Sequence, residues 1–182
     1  METRVRTLGS LATPSFSAYL DEVVLQNGEP GKRIRIDHPE ASAVVPFLPN
    51  QGIVMVRQYR YALGMETLEI PAGKVDPGEG PEGCARRELM EETGFFAPRL
   101  DLLYTYAPAI GYSNERIHIF AAPDVQRQSD RTDEREIRSV DIVPLRDLLE
   151  EIRGGRILDG KTLIGLCMAG FLQGLEEKKR GR

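Results

Sequence analysis

Residues 73–95, GKVDPGEGPEGCARRELMEETGF, constrain this chain more than any other stretch. Pro77-Gly78 and Gly80-Pro81 punctuate the first half, so it begins as a loop. Pro81 suits the first turn of a helix, where its missing N–H leaves no hydrogen bond unmade. Residues 82–93 are rich in helix formers, and Gly94 can take the left-handed cap. A helix over this span sets Glu88 and Glu92 four residues apart, with Glu91 one turn from Glu88. Three carboxylates then share one stripe. Like charges at that spacing repel by roughly 0.2–0.5 kcal/mol per pair, and Arg86 and Arg87 are the nearest compensating cations. Clustered carboxylate oxygens are ligands for hard divalent cations such as Mg²⁺, which is commonly shared with substrate phosphates. The plainer alternative is a solvated acidic face, the usual fate of a charge run.

At 182 residues the chain is long enough for one well-cored domain. Its hydrophobic content of 41% and charged content of 29% are those of a soluble globular protein. A net charge of -4 disfavours a general nucleic-acid surface. The N-terminus carries no apolar signal region, so a cytoplasmic protein is expected. Cys84 and Cys167 both fall in predicted helices without metal-ligand spacing, so free thiols are expected rather than structural zinc. The longest uncharged run near the end, 162–175, is too short to span a bilayer, so no membrane role is expected.

Residues 1–14 are weakly patterned and predict one short strand at most. Residues 16–26 have strand character through Tyr19, Val23, Val24 and Leu25, and Arg33-Ile34-Arg35-Ile36 alternates beyond the turn cluster at 27–31. Together they predict a hairpin, which is marginal in water unless packed on something. The apolar runs 43–48 and 53–58, separated by Pro49-Asn50-Gln51-Gly52, predict a second hairpin. A short strand at 67–70 delivers Pro71-Ala72 to the loop–helix. Strands are expected at 100–106, 116–122 and 138–143, with a loop at 107–115. Residues 124–136 are densely charged and predict an exposed, mobile loop. Helices at 145–152 and 161–178 close the chain, separated by Gly154-Gly155. Mixed strands enclosed by helices make an α/β sandwich. His38 and His118 are isolated, and His118, on an alternating strand, reads as packing. Leu89 and Phe95 read as core contacts.

The spacing within 73–95 carries more than its acidity. It runs Gly73, five residues, Glu79, seven residues, Arg87-Glu88-Leu89, one residue, Glu91-Glu92, one residue, Gly94-Phe95. This resembles the Nudix box, with every fixed position filled and no gap. The resemblance implies an α/β/α sandwich with a mixed sheet and hydrolysis of a nucleoside diphosphate linked to another moiety. It also implies Mg²⁺, or Mn²⁺, held by the box glutamates. Two flanking segments, Gln58-Tyr59-Arg60-Tyr61 with Leu68-Glu69-Ile70-Pro71-Ala72-Gly73, and Ala107 to Glu115, resemble the ADP-ribose and nucleoside-diphosphate-sugar pyrophosphatases. The second departs from their loop by placing Ala109-Ile110 between proline and glycine. Gly155-Arg156-Ile157 and Asp159-Gly160-Lys161-Thr162 also resemble that subgroup. By the same resemblance 1–40 form an antiparallel β region for dimerisation and substrate contact, 41–182 form the hydrolase domain, and the partner copy makes a homodimer.

On these grounds Glu88 and Glu92 are the expected metal ligands, with Glu91 beside them as a catalytic candidate. The resemblance adds the Ala72 backbone carbonyl as a ligand. Glu79 is expected to pair with Arg87 and hold the shape of the box, with metal contact open to it. Glu136, and after it Glu134, are the general-base candidates, since the resembling enzymes use a glutamate some forty-odd residues past the box. Arg60 would bind phosphate with its planar fork. Gly73, Glu115 and Tyr112 complete the expected substrate contacts, Glu115 through ribose hydroxyls or metal, and Tyr112 by stacking on a base. Alternatives are another substrate class (a dinucleoside polyphosphate, a coenzyme diphosphate, an RNA 5′ end) or a non-catalytic ligand-binding module. Lost box glutamates would favour the last, and none is lost.

Overall fold

The structure is a computed structural model; it describes residues 1–130 and 136–180, with the side chains of the last helix described as far as Gly170. The chain divides into two compact units, Met1–Glu40 with Tyr106–Arg116, and Ala41–Thr105 with Ile117–Arg182.

The first unit is a three-stranded antiparallel sheet of β1 (Thr3–Ala12), β2 (Ser17–Val24) and β3 (Pro30–Asp37) in that order. The expected hairpin is β2–β3, running from Ser17 opposite Asp37 to Val24 opposite Pro30. Gly28, at φ 88°, allows the tight turn between them. The first strand is far longer than its sequence suggests. Every residue of β1 is exposed, so burial leaves no alternating imprint on its composition. Its ladder to β2 and cross-strand pairs such as Thr7 Oγ1 to Asp21 Oδ1 (2.7 Å) hold it instead. Arg35 lies over the Tyr19 ring at 4.1 Å and pairs with Asp21 at 3.1 Å.

The second unit is built around a mixed sheet. Strand β4 (Ala41–Leu48) runs parallel to β10 (Ile117–Ala122) and antiparallel to β5 (Gly52–Arg60), within the order β12-β5-β4-β10-β9, where β9 is Asp101–Tyr106 and β12 is Ile137–Val143. Two short strands extend it: β6 (Met65–Glu69) on β5, and β7 (Ala72–Lys74) on β4. Residues 43–45 and 53–56 are fully buried, which explains their continuous apolar runs: both faces of the sheet are covered. On one face Val44, Val54 and Phe120 pack with Ala85, Leu89 and Phe95 from helix α1 (Pro81–Thr93) and β8 (Phe95–Phe96). On the other lies α3 (Gly160–Arg180), where a Cβ on Gly165 would stand 2.9 Å from Val45 and 3.2 Å from Ile119 and Ile70. The result is the expected α/β sandwich. Burying Leu89 and Phe95 stabilises it by roughly 1.5–3 kcal/mol each.

Three local readings are corrected. The helix expected from 145 starts later, as α2 (Leu148–Arg153), because the Asp147 N–H first closes a turn onto the Pro144 carbonyl at 2.9 Å. The charged stretch from 124 is not loop throughout. Its Gln126–Arg127 form β11, paired antiparallel with β8, and the N–H groups of Gln128 and Ser129 donate to the Gly94 carbonyl at 2.9 and 3.0 Å. Arg86 does not compensate the box carboxylates. It turns to Glu82 (2.8 Å) and to the Ala97 carbonyl. Cys84 and Cys167 are free. Among the described residues no helix is long and apolar enough to cross a membrane.

Candidate active site

Two segments meet at the site, the turn between β6 and β7 and the face of α1. The Val44 N–H donates to the Pro71 carbonyl at 3.0 Å, and Ala72 pairs with Ala43, so the Ile70-Pro71-Ala72-Gly73 turn is fixed to the central strand. Helix α1 begins with Pro81 in its first turn. Ser42 Oγ donates to the Pro81 carbonyl at 2.7 Å, tying the helix start to the same strand. The helix ends at Gly94, φ 73°, whose N–H caps the Met90 carbonyl at 2.9 Å.

The carboxylate stripe divides between inside and outside. Glu92 is buried, and its Oε2 accepts the Ala72 N–H at 3.0 Å. Glu88 is turned inward over Gly73, so close that a Cβ there would lie 1.9 Å from its Oε1. Gly73 therefore makes room for Glu88 by having no side chain. Glu91 is exposed, and its carboxylate accepts from Arg87 Nη1 at 3.1 Å. Arg87 is the hub. Its Nε and Nη2 meet both oxygens of Glu79 at 3.0 and 2.9 Å, Nη2 also meets the Lys74 carbonyl at 3.0 Å, and Nη1 reaches Glu88 at 2.7 Å. The expected Glu79–Arg87 pair is thus present. Both Glu79 oxygens accept from Arg87.

Burial pushes the Glu92 carboxyl up to about 8, and the nearby Glu88 charge adds to the rise. Burial also raises Glu88, against the opposing pull of Arg87. Arg87 holds the Glu79 carboxyl below its ordinary value. Two inward carboxylates that resist ionisation are a donor set that a divalent cation would complete, since its charge would favour both anions. Among the described residues no three His, Cys, Asp or Glu side chains converge on one point. A cation held by Glu88 and Glu92 would then fill its shell from backbone oxygen, water and substrate, as Mg²⁺ characteristically does. Burial pushes the Cys84 thiol up to about 11, so it stays a protonated, inert neighbour.

Arg60 ends β5, but its fork is already occupied, with Nε and Nη2 donating to the two oxygens of Glu69 at 2.7 and 2.6 Å. Only its remaining N–H groups are left for a phosphate. Glu136 is exposed just before β12, and no hydrogen bond or ion pair among the described residues joins it to the box carboxylates. Glu134 lies outside the described residues. Tyr112 and Glu115 belong to the first unit. There the Tyr112 carbonyl accepts the Ile36 N–H at 2.7 Å, and Glu115 lies 3.4 Å from His38 Nδ1. His118 is half-buried, and its Nδ1 pairs with Thr105 Oγ1 at 3.0 Å.

Residue-by-residue reading missed a buried network behind Arg60. Glu69 also accepts from Thr67 Oγ1 at 2.6 Å and pairs with Lys161 at the start of α3. Lys161 reaches Asp159 at 3.0 Å. Asp159 in turn caps the helix through the Thr162 N–H at 2.9 Å, while Thr162 Oγ1 accepts the Ile70 N–H at 3.0 Å. A single charge in the apolar setting of Leu68-Glu69-Ile70 was the available signal; its partner lies 92 residues away.

The NUDIX domain profile matches residues 37–161. The chain is 35% identical over 163 residues to a protein named ADP-ribose pyrophosphatase from Bacillus subtilis (strain 168), with 88% of each chain covered. It is 36% identical over 161 residues to one named methanol dehydrogenase activator from Bacillus methanolicus, with 87% of each covered. To a GDP-mannose pyrophosphatase from Yersinia pestis (strain Pestoides F) it is 32% identical over 164 residues, covering 83% of this chain and 82% of that one. The crystal structure of an ADP compounds hydrolase shares the fold at a TM-score of 0.79 and 24% identity, over 95% of this chain and 96% of that one. With the full spacing of the box, its glutamates folded onto the Ala72-Gly73 turn and these relatives, the chain belongs to the NUDIX domain family, whose hydrolases generally depend on a divalent metal.

Proposed function

We propose that the protein hydrolyses the pyrophosphate bond of ADP-ribose or a related nucleoside diphosphate sugar. The products are a nucleoside monophosphate and a sugar phosphate. The observation that carries this reading is the pair of inward carboxylates, Glu88 and Glu92, fixed against the Ala72-Gly73 turn. Glu88, Glu92 and the Ala72 carbonyl would hold Mg²⁺, with Mn²⁺ able to replace it. When bound there, the ion supplies charge neutralisation at the diphosphate and lowers the pKa of water.

The chain's own residues do the rest. Arg87 holds Glu88 in place and locks the loop before α1 through Glu79. The N–H of Ala72 orients the Glu92 carboxylate. Arg60 offers its uncommitted N–H groups to a phosphate. Glu136 takes the proton of the attacking water, with Glu134 the second candidate and Glu91 a nearby carboxylate. Water's oxygen bonds to phosphorus as the bridging P–O bond breaks, and the proton leaves to that base. Tyr112 and Glu115 contact the nucleoside or sugar. The sheet of residues 1–40 contributes to a homodimer and to substrate contact, consistent with β1 exposing a whole strand. Intracellular nucleotide sugars as substrates make a cytoplasmic place of action the natural one.

The test is incubation of the pure protein and Mg²⁺ with ADP-ribose, GDP-mannose, UDP-glucose and diadenosine polyphosphates, with identification of products. Nucleoside monophosphate plus sugar phosphate, lost with Glu92→Gln, is expected. Turnover of the diadenosine polyphosphates alone would move the substrate class. Binding with no Mg²⁺-dependent turnover would make the protein a ligand-binding module.

A further inference from the structure

Arg60 is the exposed end of a network that runs through Glu69 to Thr67, Lys161 and Asp159, four residues with no part in the proposed reaction. The network is unusual in its degree of burial. The Glu69 side chain is 2% exposed and that of Lys161 10%, whereas that of Arg60 is 42% exposed. Arg60 is thus where a buried ionic assembly reaches solvent. Taking charges out of water is costly, and replacing such groups by apolar ones is often neutral or stabilising. Burial alone does not explain why this assembly is there.

Its geometry suggests an explanation. Glu69 holds Arg60 by two N–H···O bonds of 2.7 and 2.6 Å, an arrangement that fixes the plane of the guanidinium as well as its position. Thr67 and Lys161 bind the same carboxylate from other sides, so Glu69 has no freedom to turn. Lys161 is itself held by Asp159, which caps α3. Glu69 ends β6 directly before the Ile70-Pro71-Ala72-Gly73 turn on which Glu88 and Glu92 fold, and the Ile70 N–H donates to Thr162 one residue past Lys161, which puts the assembly beside the box. An arginine free to rotate would lose side-chain entropy on gripping a phosphate; one already clamped does not.

We propose that Glu69 is a positioning residue that presets the Arg60 guanidinium for the diphosphate, with Thr67 and Lys161 fixing Glu69 in turn. This rests on the proposed function, in that the diphosphate is the ligand Arg60 receives. The readout is KM against kcat in a double-mutant cycle. Glu69→Gln keeps the shape and removes the charge, and it is expected to raise KM for ADP-ribose about tenfold, more than it lowers kcat. Thr67→Val removes one hydrogen bond at nearly constant volume and is expected to raise KM about threefold. In an Arg60→Lys background, which keeps the charge but lacks the fork, either change is expected to alter KM by less than about twofold. Thermal unfolding checks that each variant is folded; should Glu69→Gln not fold, Thr67→Val carries the same comparison. Equal KM factors in the two backgrounds would overturn the proposal, as would an unchanged KM in folded Glu69→Gln and Thr67→Val. Absence of ADP-ribose turnover by the wild-type protein would overturn the functional reading and this inference with it, whereas turnover with additive effects overturns only the inference.

Discussion

Replacing Gly73 by alanine isolates the Glu88 carboxylate more cleanly than replacing Glu88 itself. The new methyl would sit 1.9 Å from Glu88 Oε1, 2.1 Å from Cδ and 2.6 Å from Oε2. Ordinary contact needs over 3 Å, so the carboxylate must retreat by about 1 Å or more. Those atoms are the far end of a flexible side chain, and Gly73 needs no left-handed backbone. The displacement is therefore cheap for the fold and expensive for the site. Stability is expected to stay within about 1 kcal/mol of wild type, because the alanine also restricts the unfolded chain. Activity should fall about 10²-fold, the usual result of a 1 Å misplacement at a reacting centre, or close to 3 kcal/mol of transition-state stabilisation. The assay is Mg²⁺-dependent release of AMP from ADP-ribose, run beside urea unfolding of the same preparation. Wild-type kcat/KM in the alanine variant would show that Glu88 does not work where it lies against Gly73. Loss of more than about 3 kcal/mol of stability would show instead that the backbone yields rather than the side chain.

Glu136→Gln should lower kcat about 10²-fold if Glu136 is the base, and a wild-type rate from that variant removes it from the mechanism. Leu89→Ala, at a fully buried position under the box helix, should cost about 2–5 kcal/mol by denaturant unfolding; a cost below about 1 would contradict the packing described. Burial raises the Glu69 carboxyl, but Arg60 and Lys161 outweigh it and hold the group at about 2 against an ordinary 4.5. Its contribution to stability, on the order of 3 kcal/mol, is therefore present above pH 4.5 and lost as pH falls through about 2. Unfolding free energies of wild type and Glu69→Gln should converge over that acid interval, and curves that stay parallel would refute the assignment.

The box was legible because its chemistry is local. Glu88, Leu89 and Glu92 lie on one helix, and the helical repeat alone brings the two carboxylates together, with Leu89 turned to the core. The Glu79–Arg87 pair could likewise be expected, since it spans one loop and two helical turns. What separates Glu91 from the other two is the turn beneath them, since only contact with Ala72 and Gly73 decides which carboxylates face inward. The assignment of Arg60 to phosphate overlooked a competitor, for Glu69 pairs with it across the β5–β6 hairpin. Lys161 was beyond reach of any local pattern. Strand β1 was underestimated for a different reason. Alternation is written by burial of one face, and a strand exposed on both faces bears no such mark.

The glycine at 165 sets how closely the last helix lies against the sheet. It stands one turn beyond Lys161 on the same flank of α3, pressed against Val45, Ile119 and Ile70. A methyl group inserted there would stand 2.9 Å from Val45 and 3.2 Å from Ile119 and Ile70, so those side chains or the helix must give way. The absence of one carbon atom at 165 thereby lets the helix that carries Lys161 lie close against the sheet that carries Glu69.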